Sequence, residues 1–319
     1  MTELLAGKYE LLRRIGSGGM ADVWSAIQHG EAGLRRPVAV KRMLPALADN
    51  TDFTKMFLEE ARIVSSLDHP NIVSLVDFCE AGDERLIVLE LVDGMDFGRW
   101  ILEHARRREP TPWTVVAAVG IDVLRALTAA HERRDESGRP APVFHRDVTP
   151  SNILLSKYGT VKLGDFGVAR AMDRVTLTTP GVVKGKLAYV APEIVGGERA
   201  GPSTDLYSLG VVLWEALAMR RLFNGVSELE LFVKVGQAAV PSLREERHDV
   251  PDSLHAVIEP LVAKSPHERF ESARVAQAAL TEALRAEGAF LTTDELARSV
   301  EETRASAEAH GAQDPRPTR

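Results

Sequence analysis

The run His145-Arg146-Asp147-Val148-Thr149-Pro150-Ser151-Asn152, with Asp165-Phe166-Gly167 beginning thirteen residues after Asn152, constrains this chain more than any other feature. It lies just after Arg133 to Pro142, a polar segment rich in turn-forming residues that reads as an exposed loop. Two carboxylates and an amide are thus gathered on loops, where a folded scaffold presents its chemistry.

Composition excludes several settings for that chemistry. At 319 residues the chain exceeds one typical domain and can bury the core of a two-lobed fold. Hydrophobic residues at 45% and charged residues at 27% are ordinary globular values. Acidic residues outnumber basic ones, 46 to 39, which argues against nucleic acid as a partner. Cys79 is alone, so one chain can build neither a disulfide framework nor a cysteine zinc site. The start, MTELLAGKYE, does not read as a signal peptide, and no run of eighteen apolar residues offers a membrane segment, so the expected location is cytoplasmic.

The pattern of elements changes near residue 92. Before it, Tyr9 to Ile15, Ala21 to Gln28, Pro37 to Arg42, Ile72 to Cys79 and Leu86 to Leu91 read as strands. Asp52 to Leu67 reads as an amphipathic helix with Phe53, Phe57, Ala61 and Val64 on one face. After it, helical patterns dominate at Phe97 to Arg108, Thr114 to Arg133, Thr204 to Met219, Glu228 to Gln237, Leu254 to Ala263 and Ser272 to Leu284. The expected class is α+β: a small β-rich N-lobe (9–92) and a larger, mainly helical C-lobe (93–284), meeting at Val92-Asp93-Gly94, where glycine permits a sharp redirection. Residues 1–8 form a flank. Residues 285–319 form a tail, with one short helix started by Thr292-Thr293-Asp294-Glu295 and carrying only Leu296 and Val300 as an apolar stripe, and a disordered end from Gly311.

Other motifs are weak singly. Ile15-Gly16-Ser17-Gly18-Gly19-Met20-Ala21-Asp22-Val23 lets backbone N–H groups approach phosphates at Gly16, Gly18 and Gly19, although an ordinary hairpin would read the same way. A dinucleotide fingerprint fails here because a strand follows, not a helix. Val38-Ala39-Val40-Lys41 ends an apolar strand on a lysine, which alone suggests only a solvated strand end. Glu60 lies nineteen residues beyond it, beside Glu59. His69-Pro70-Asn71-Ile72-Val73 reads as a turn and is given no catalytic part.

Taken in order, together with Gly185-Lys186 through Ala191-Pro192-Glu193 and Asp205-Leu206-Tyr207, these motifs resemble those of Hanks-type protein kinases over roughly Tyr9 to Leu284. The Gly18-Gly19-Met20 form is similar to bacterial Ser/Thr kinases, and Pro150, three after Asp147, is similar to the Ser/Thr class. The resemblance implies the bilobal kinase fold, ATP and Mg²⁺ as cofactors, and protein substrates phosphorylated on Ser or Thr. It implies Asp147 as acceptor of the hydroxyl proton, Asn152 and Asp165 as Mg²⁺ ligands, and Lys41 on the α- and β-phosphates, paired with Glu60 because Glu60 precedes Ala61 while Glu59 faces solvent. It places Ile15, Gly16, Ser17, Gly18, Gly19, Val23, Ala39 and Leu154 around the nucleotide, Leu89 as gatekeeper, and the main chain of Glu90 and Val92 on the adenine. It implies structural parts for His145, stacked with Phe166, Val64 and Leu75, for a Glu193–Arg269 pair, and for Asp205 on the backbone of the Asp147 loop. Arg146 is implied as receiver of a phosphate on Thr176, Thr178 or Thr179, added by autophosphorylation through self-association in trans.

The chain departs from the family pattern in three places. Ala21 replaces the third glycine of the loop. Thr149 stands where Ser/Thr kinases carry Lys, and Lys186 where they carry Thr, so the expectation is an exchange in which Lys186 supplies the cation at the γ-phosphate and Thr149 the hydroxyl. Against it stands a solvated Lys186 that touches only substrate or nothing. Thr149 and the altered Gly185-Lys186 also leave a pseudokinase that binds ATP and partner proteins as the alternative to an active enzyme. A small-molecule phosphotransferase of the aminoglycoside or choline type would share the Asp and Asn loop but not Ala191-Pro192-Glu193.

Overall fold

The computed structural model describes residues 4–81, 84–166, 186–225 and 227–313. The first part is an antiparallel sheet of β1 (Tyr9–Ser17), β2 (Ala21–His29), β3 (Arg35–Met43), β4 (Leu75–Ala81) and β5 (Glu84–Glu90), in the order β1-β2-β3-β5-β4. Side chains alternate across it. Val38, Val40, Leu86 and Val88 pack with Tyr9 and Ala26 on one face, while Ile87, Ala21 and Met43 meet Phe57 and Ala61 of helix α1 (Thr51–Ser65) on the other. That two-sided burial is why Leu86-Ile87-Val88 is continuously apolar. The side chain of Asn50 caps α1 by accepting from the N–H groups of Asp52 and Phe53.

β4 begins three residues later than the sequence suggests, at Leu75. The apolar pair before it, Ile72 and Val73, is buried against β8 (Val161–Leu163), with Val73 N–H donating to the Leu163 carbonyl at 3.0 Å. Strand β8 belongs to a second sheet, β6 (Gly94–Asp96), β7 (Ile153–Ser156) and β8, that the sequence reading misses. Strands of three and four residues are too short to display a period.

Gly94 has a different reason from the one expected. Its φ is not positive, but a Cβ there would run into the Leu155 carbonyl across the β6–β7 ladder, so glycine serves close approach rather than redirection.

Helices α2 (Phe97–Arg107), α3 (Trp113–His131), α4 (Pro192–Val195), α5 (Pro202–Ala218), α6 (Glu228–Gln237), α7 (Leu243–Glu246), α8 (Asp252–Leu261), α9 (Ala273–Ala286) and α10 (Thr293–Gln313) complete the described chain. α3 is long and apolar enough to cross a membrane, yet it is the buried centre of this bundle, where Gly120 lets Leu213 of α5 and Leu280 of α9 close in. α10 is not the short helix expected. It runs 21 residues, passes Gly311, and buries Leu296, Val300 and Thr303. Trp100 of α2 donates its indole N–H to Ser299 at 3.1 Å, and Arg304 meets Asp93 at 3.0 Å. The partner surface is two hundred residues away in sequence, so a stripe of two apolar residues understates the docking.

His104 on α2 lies against the Trp100 ring, with centroids 4.3 Å apart. Burial, and then the Arg107 cation, push its pKa down from 6.5 to about 4. Between those values the unfolded chain binds the proton and the folded chain does not, so stability is complete above pH 6.5 and is lost as pH falls toward 4. Denaturant titrations across this window should show stability rising with pH, and His104→Asn should flatten part of that slope.

Candidate active site

Lys41 reaches from β3 into the space between the two sheets. Its Nζ lies 2.5 Å from Glu60 Oε1 on α1 and 2.9 Å from Asp165 Oδ1, just beyond β8. The choice of Glu60 over Glu59 therefore holds: Glu60 is 1% exposed, whereas the Glu59 carboxylate is outward, 3.9 Å from Arg62. Burial opposes the Lys41 charge, but Asp165 and Glu60 outweigh it, and its pKa is raised. Asp165 is held below the ordinary carboxylate range, chiefly by Lys41, against its own burial. Burial pushes Glu60 up to about 7 despite Lys41, because two carboxylates share one ammonium and only Oε1 of Glu60 is bonded. Asp165 is thus the carboxylate kept ionised.

The Asp147 loop is fixed from beneath. Asp205 of α5 accepts the backbone N–H groups of His145 (2.8 Å) and Arg146 (2.7 Å) and meets His131 Nε2 at 2.8 Å. His145 accepts the Asp147 N–H on Nδ1 and donates from Nε2 to the Gly164 carbonyl at 2.9 Å, which sets one neutral tautomer and leaves neither nitrogen for proton transfer. Its ring stands edge-on to Phe166, 4.5 Å between centroids, and Val64 and Leu75 belong to the same core. Arg146 and Asp165 both hold positive φ, 63° and 58°, a conformation that costs a non-glycine residue about 1–3 kcal/mol. One of these positions directly precedes Asp147 and the other is Asp165 itself.

Asn152 donates from Nδ2 to the Asp147 carbonyl at 2.8 Å and to Asp147 Oδ2 at 3.0 Å, so its amide oxygen is the atom left for a cation. Lys186 reaches the same Asp147 Oδ2 at 2.5 Å. Thr149 is buried, and its hydroxyl bonds Ser151 at 3.0 Å, so the two positions of the expected exchange have different partners, Ser151 for Thr149 and Asp147 for Lys186.

At the other end, β1 and β2 form a hairpin with Gly16 opposite Val23 and Ser17 opposite Asp22, and Ile15 41% exposed. None of Gly16, Gly18 and Gly19 has positive φ, and a Cβ at Gly16 or Gly18 would meet nothing closer than 3.5 Å. At Gly16 and Gly18 the fold itself therefore does not demand glycine. Ala39 pairs with Leu89 across β3 and β5, Leu154 is half-buried on β7, and Val92 follows β5. Glu90 carries a role the sequence reading lacks: its N–H donates to Ser74 O, and its carboxylate accepts Ser74 N–H at 2.8 Å and Lys162 Nζ at 2.7 Å. Its main-chain N–H is therefore committed to Ser74. Lys162 carried no motif to mark it.

Arg146, Arg62 and Arg133, with Glu59, line a cavity of about 480 Å³ between α1 and the Asp147 loop. Thr176, Thr178, Thr179, Gly167 and Gly185 lie outside the described residues.

The protein kinase domain family matches residues 9–281. The chain is 40% identical over 267 residues to the tyrosine-protein kinase MasK of Myxococcus xanthus, covering 84% of this chain and 41% of that protein. It is 35% identical to the serine/threonine-protein kinase PrkC of Bacillus subtilis, covering 84% and 39%, and 36% identical to PknA of Mycobacterium tuberculosis, covering 84% and 59%. The chain therefore spans about two fifths to three fifths of these relatives. The crystal structure of the PknI kinase domain of M. tuberculosis superposes with a TM-score of 0.66 at 26% identity, covering 89% of this chain and 98% of that one. The chain belongs to the protein kinase domain family, in its bacterial Hanks-type group.

Proposed function

We propose that this chain transfers the γ-phosphate of Mg-ATP to Ser or Thr hydroxyls of protein substrates, with residues 9–284 as the catalytic unit. The observation that carries the reading is that Lys41, Glu60 and Asp165 form one bonded group and Asn152 and Asp147 a second, tied together where Gly164 N–H, next to Asp165, donates to the Asn152 carbonyl at 2.9 Å. Family members use ATP with a divalent metal, generally Mg²⁺. The residues suit that cation: an ionised Asp165 and the free amide oxygen of Asn152 are hard donors, too few to cage a metal and sufficient once phosphate oxygens join them. When bound, the metal neutralises phosphate charge. Asp165 and Asn152 would hold the cation, and Lys41 would hold the α- and β-phosphates, with Glu60 fixing its position. Ile15, Val23, Ala39, Leu89 and Leu154 enclose the adenine, which bonds the Glu90 carbonyl and Val92 main chain. Asp147 accepts the proton of the attacking hydroxyl, mainly by orienting it in line.

A pseudokinase would more simply have lost Asp147, Asp165 or Lys41, and all three are present, Lys41 bonded to Asp165 and Asp147 to Asn152 and Lys186. Mg-ATP incubation followed by phosphoamino-acid analysis and site mapping tests the proposal. Phosphoserine or phosphothreonine is expected, with autophosphorylation at Thr176, Thr178 or Thr179, whose phosphate would meet the Arg146 cluster. Phosphotyrosine alone would favour a second reading, suggested by the printed name of the M. xanthus relative. No phosphate on any protein would end the proposal.

A further inference from the structure

We infer that Lys186 is a catalytic residue that binds the transferring phosphoryl group, a role resting on the kinase reading above. Its ammonium sits at the acceptor end of the site, 2.5 Å from Asp147 Oδ2. Asn152 donates to that same oxygen, so both neighbours bond Oδ2 and, among the described residues, neither engages Oδ1. Lys186 is therefore not a lysine merely standing in solvent. Its side chain is 45% exposed, so it is accessible while bonded to Asp147.

The other ammonium of the site cannot do the same work. Lys41 is buried and committed to Glu60 and Asp165 at the opposite end. Thr149 brings no charge, and its hydroxyl is taken up with Ser151. In phosphoryl transfer the charge of the loose transition state spreads over the equatorial oxygens, and a cation placed there acts where it is most effective. An ammonium has three donors, so Lys186 can keep its bond to Asp147 and still offer two to phosphoryl oxygens. Its four-carbon stem permits the small pivot this needs. In the step itself, the acceptor oxygen forms its bond to Pγ as its proton passes to Asp147 Oδ1, and the bond from Pγ to the bridging oxygen breaks with its electron pair leaving on ADP. Lys186 donates hydrogen bonds throughout and transfers no proton.

Steady-state kinetics of the full chain with Mg-ATP and a protein substrate test this. Lys186→Thr should lower kcat by roughly 10²–10³-fold with the KM for ATP little changed. Lys186→Arg, which keeps the charge, should retain more activity than Lys186→Thr, and adding Thr149→Lys to Lys186→Thr should restore part of kcat. A Lys186→Thr enzyme with wild-type kcat would overturn the inference. So would a loss that Lys186→Arg shares in full, or one accompanied by an equal loss of ATP binding, since either marks a structural part. Wild-type transfer that is abolished by Asp147→Asn shows that the kinase reading stands whichever way Lys186 falls, whereas an inactive wild type removes both.

Discussion

Asp147→Asn is expected to lower the rate of phosphate transfer by roughly 10²–10⁴-fold, the range general acid–base groups contribute. The substitution preserves shape and removes only the carboxylate. It leaves the acceptor hydroxyl without a place for its proton and without the charge that aligns it. The surrounding loop does not depend on that side chain for its path. Asp205 holds the backbone of His145 and Arg146, and His145 holds the Asp147 N–H. Lys41, Glu60 and Asp165 are also untouched, so affinity for Mg-ATP should remain close to wild type. The expected signature is thus a fall in kcat alone, measured against nucleotide binding in the same preparation.

The second large effect is on stability. Arg269 and Glu193 form a bidentate pair at 2.8 Å for both bonds, with Arg269 fully buried. The three remaining N–H directions of Arg269 go to the carbonyls of Ala263, Ser203 and Lys264, and its guanidinium lies 4.7 Å from the Tyr207 ring centroid. All five donors are used, which makes the geometry good enough to offset desolvation. Arg269→Leu leaves Glu193 buried without its counterion and should cost about 3–5 kcal/mol. Adding Glu193→Leu should return much of that loss, because an apolar pair of similar volume removes the stranded charge. Calorimetry of both variants checks it, and a harmless Arg269→Leu would show the pair to be replaceable by water.

These two results probe the parts that were legible before any coordinates. Asp147, Asn152, Asp165, Lys41 and Glu60 are named by the spacing and order of motifs that resemble the family's, and Glu60 is separated from Glu59 because it precedes Ala61 as in the family's helix. The N-lobe sheet was legible because short β-rich runs such as Tyr9 to Ile15 and Pro37 to Arg42 are set apart by turn residues such as Gly30 and Gly33. What could not be read depends on partners far away in sequence. β6 to β8 carry too few residues for a period, and Gly94 is glycine because of a carbonyl sixty residues on. α10 looked peripheral because its two apolar residues reveal nothing of Trp100 and Asp93, to which Ser299 and Arg304 bind. Lys162, which anchors Glu90 at the end of β5, is likewise a solitary lysine in the sequence. The Thr149 and Lys186 exchange was half visible: identities at two positions suggested it, but only the fold could tell that the ammonium reaches Asp147 while the hydroxyl turns to Ser151.

The central claim is that this constellation performs metal-dependent phosphoryl transfer with Asp147 at the acceptor hydroxyl. Its most direct test is single-turnover transfer from pre-bound, γ-labelled ATP to a protein substrate, comparing wild type with Asp147→Asn, each with Mg²⁺ and with the metal chelated. The account predicts label on protein only for wild type with Mg²⁺, with both proteins binding the nucleotide. Equal labelling by Asp147→Asn, or labelling by wild type that ignores chelation, would contradict it.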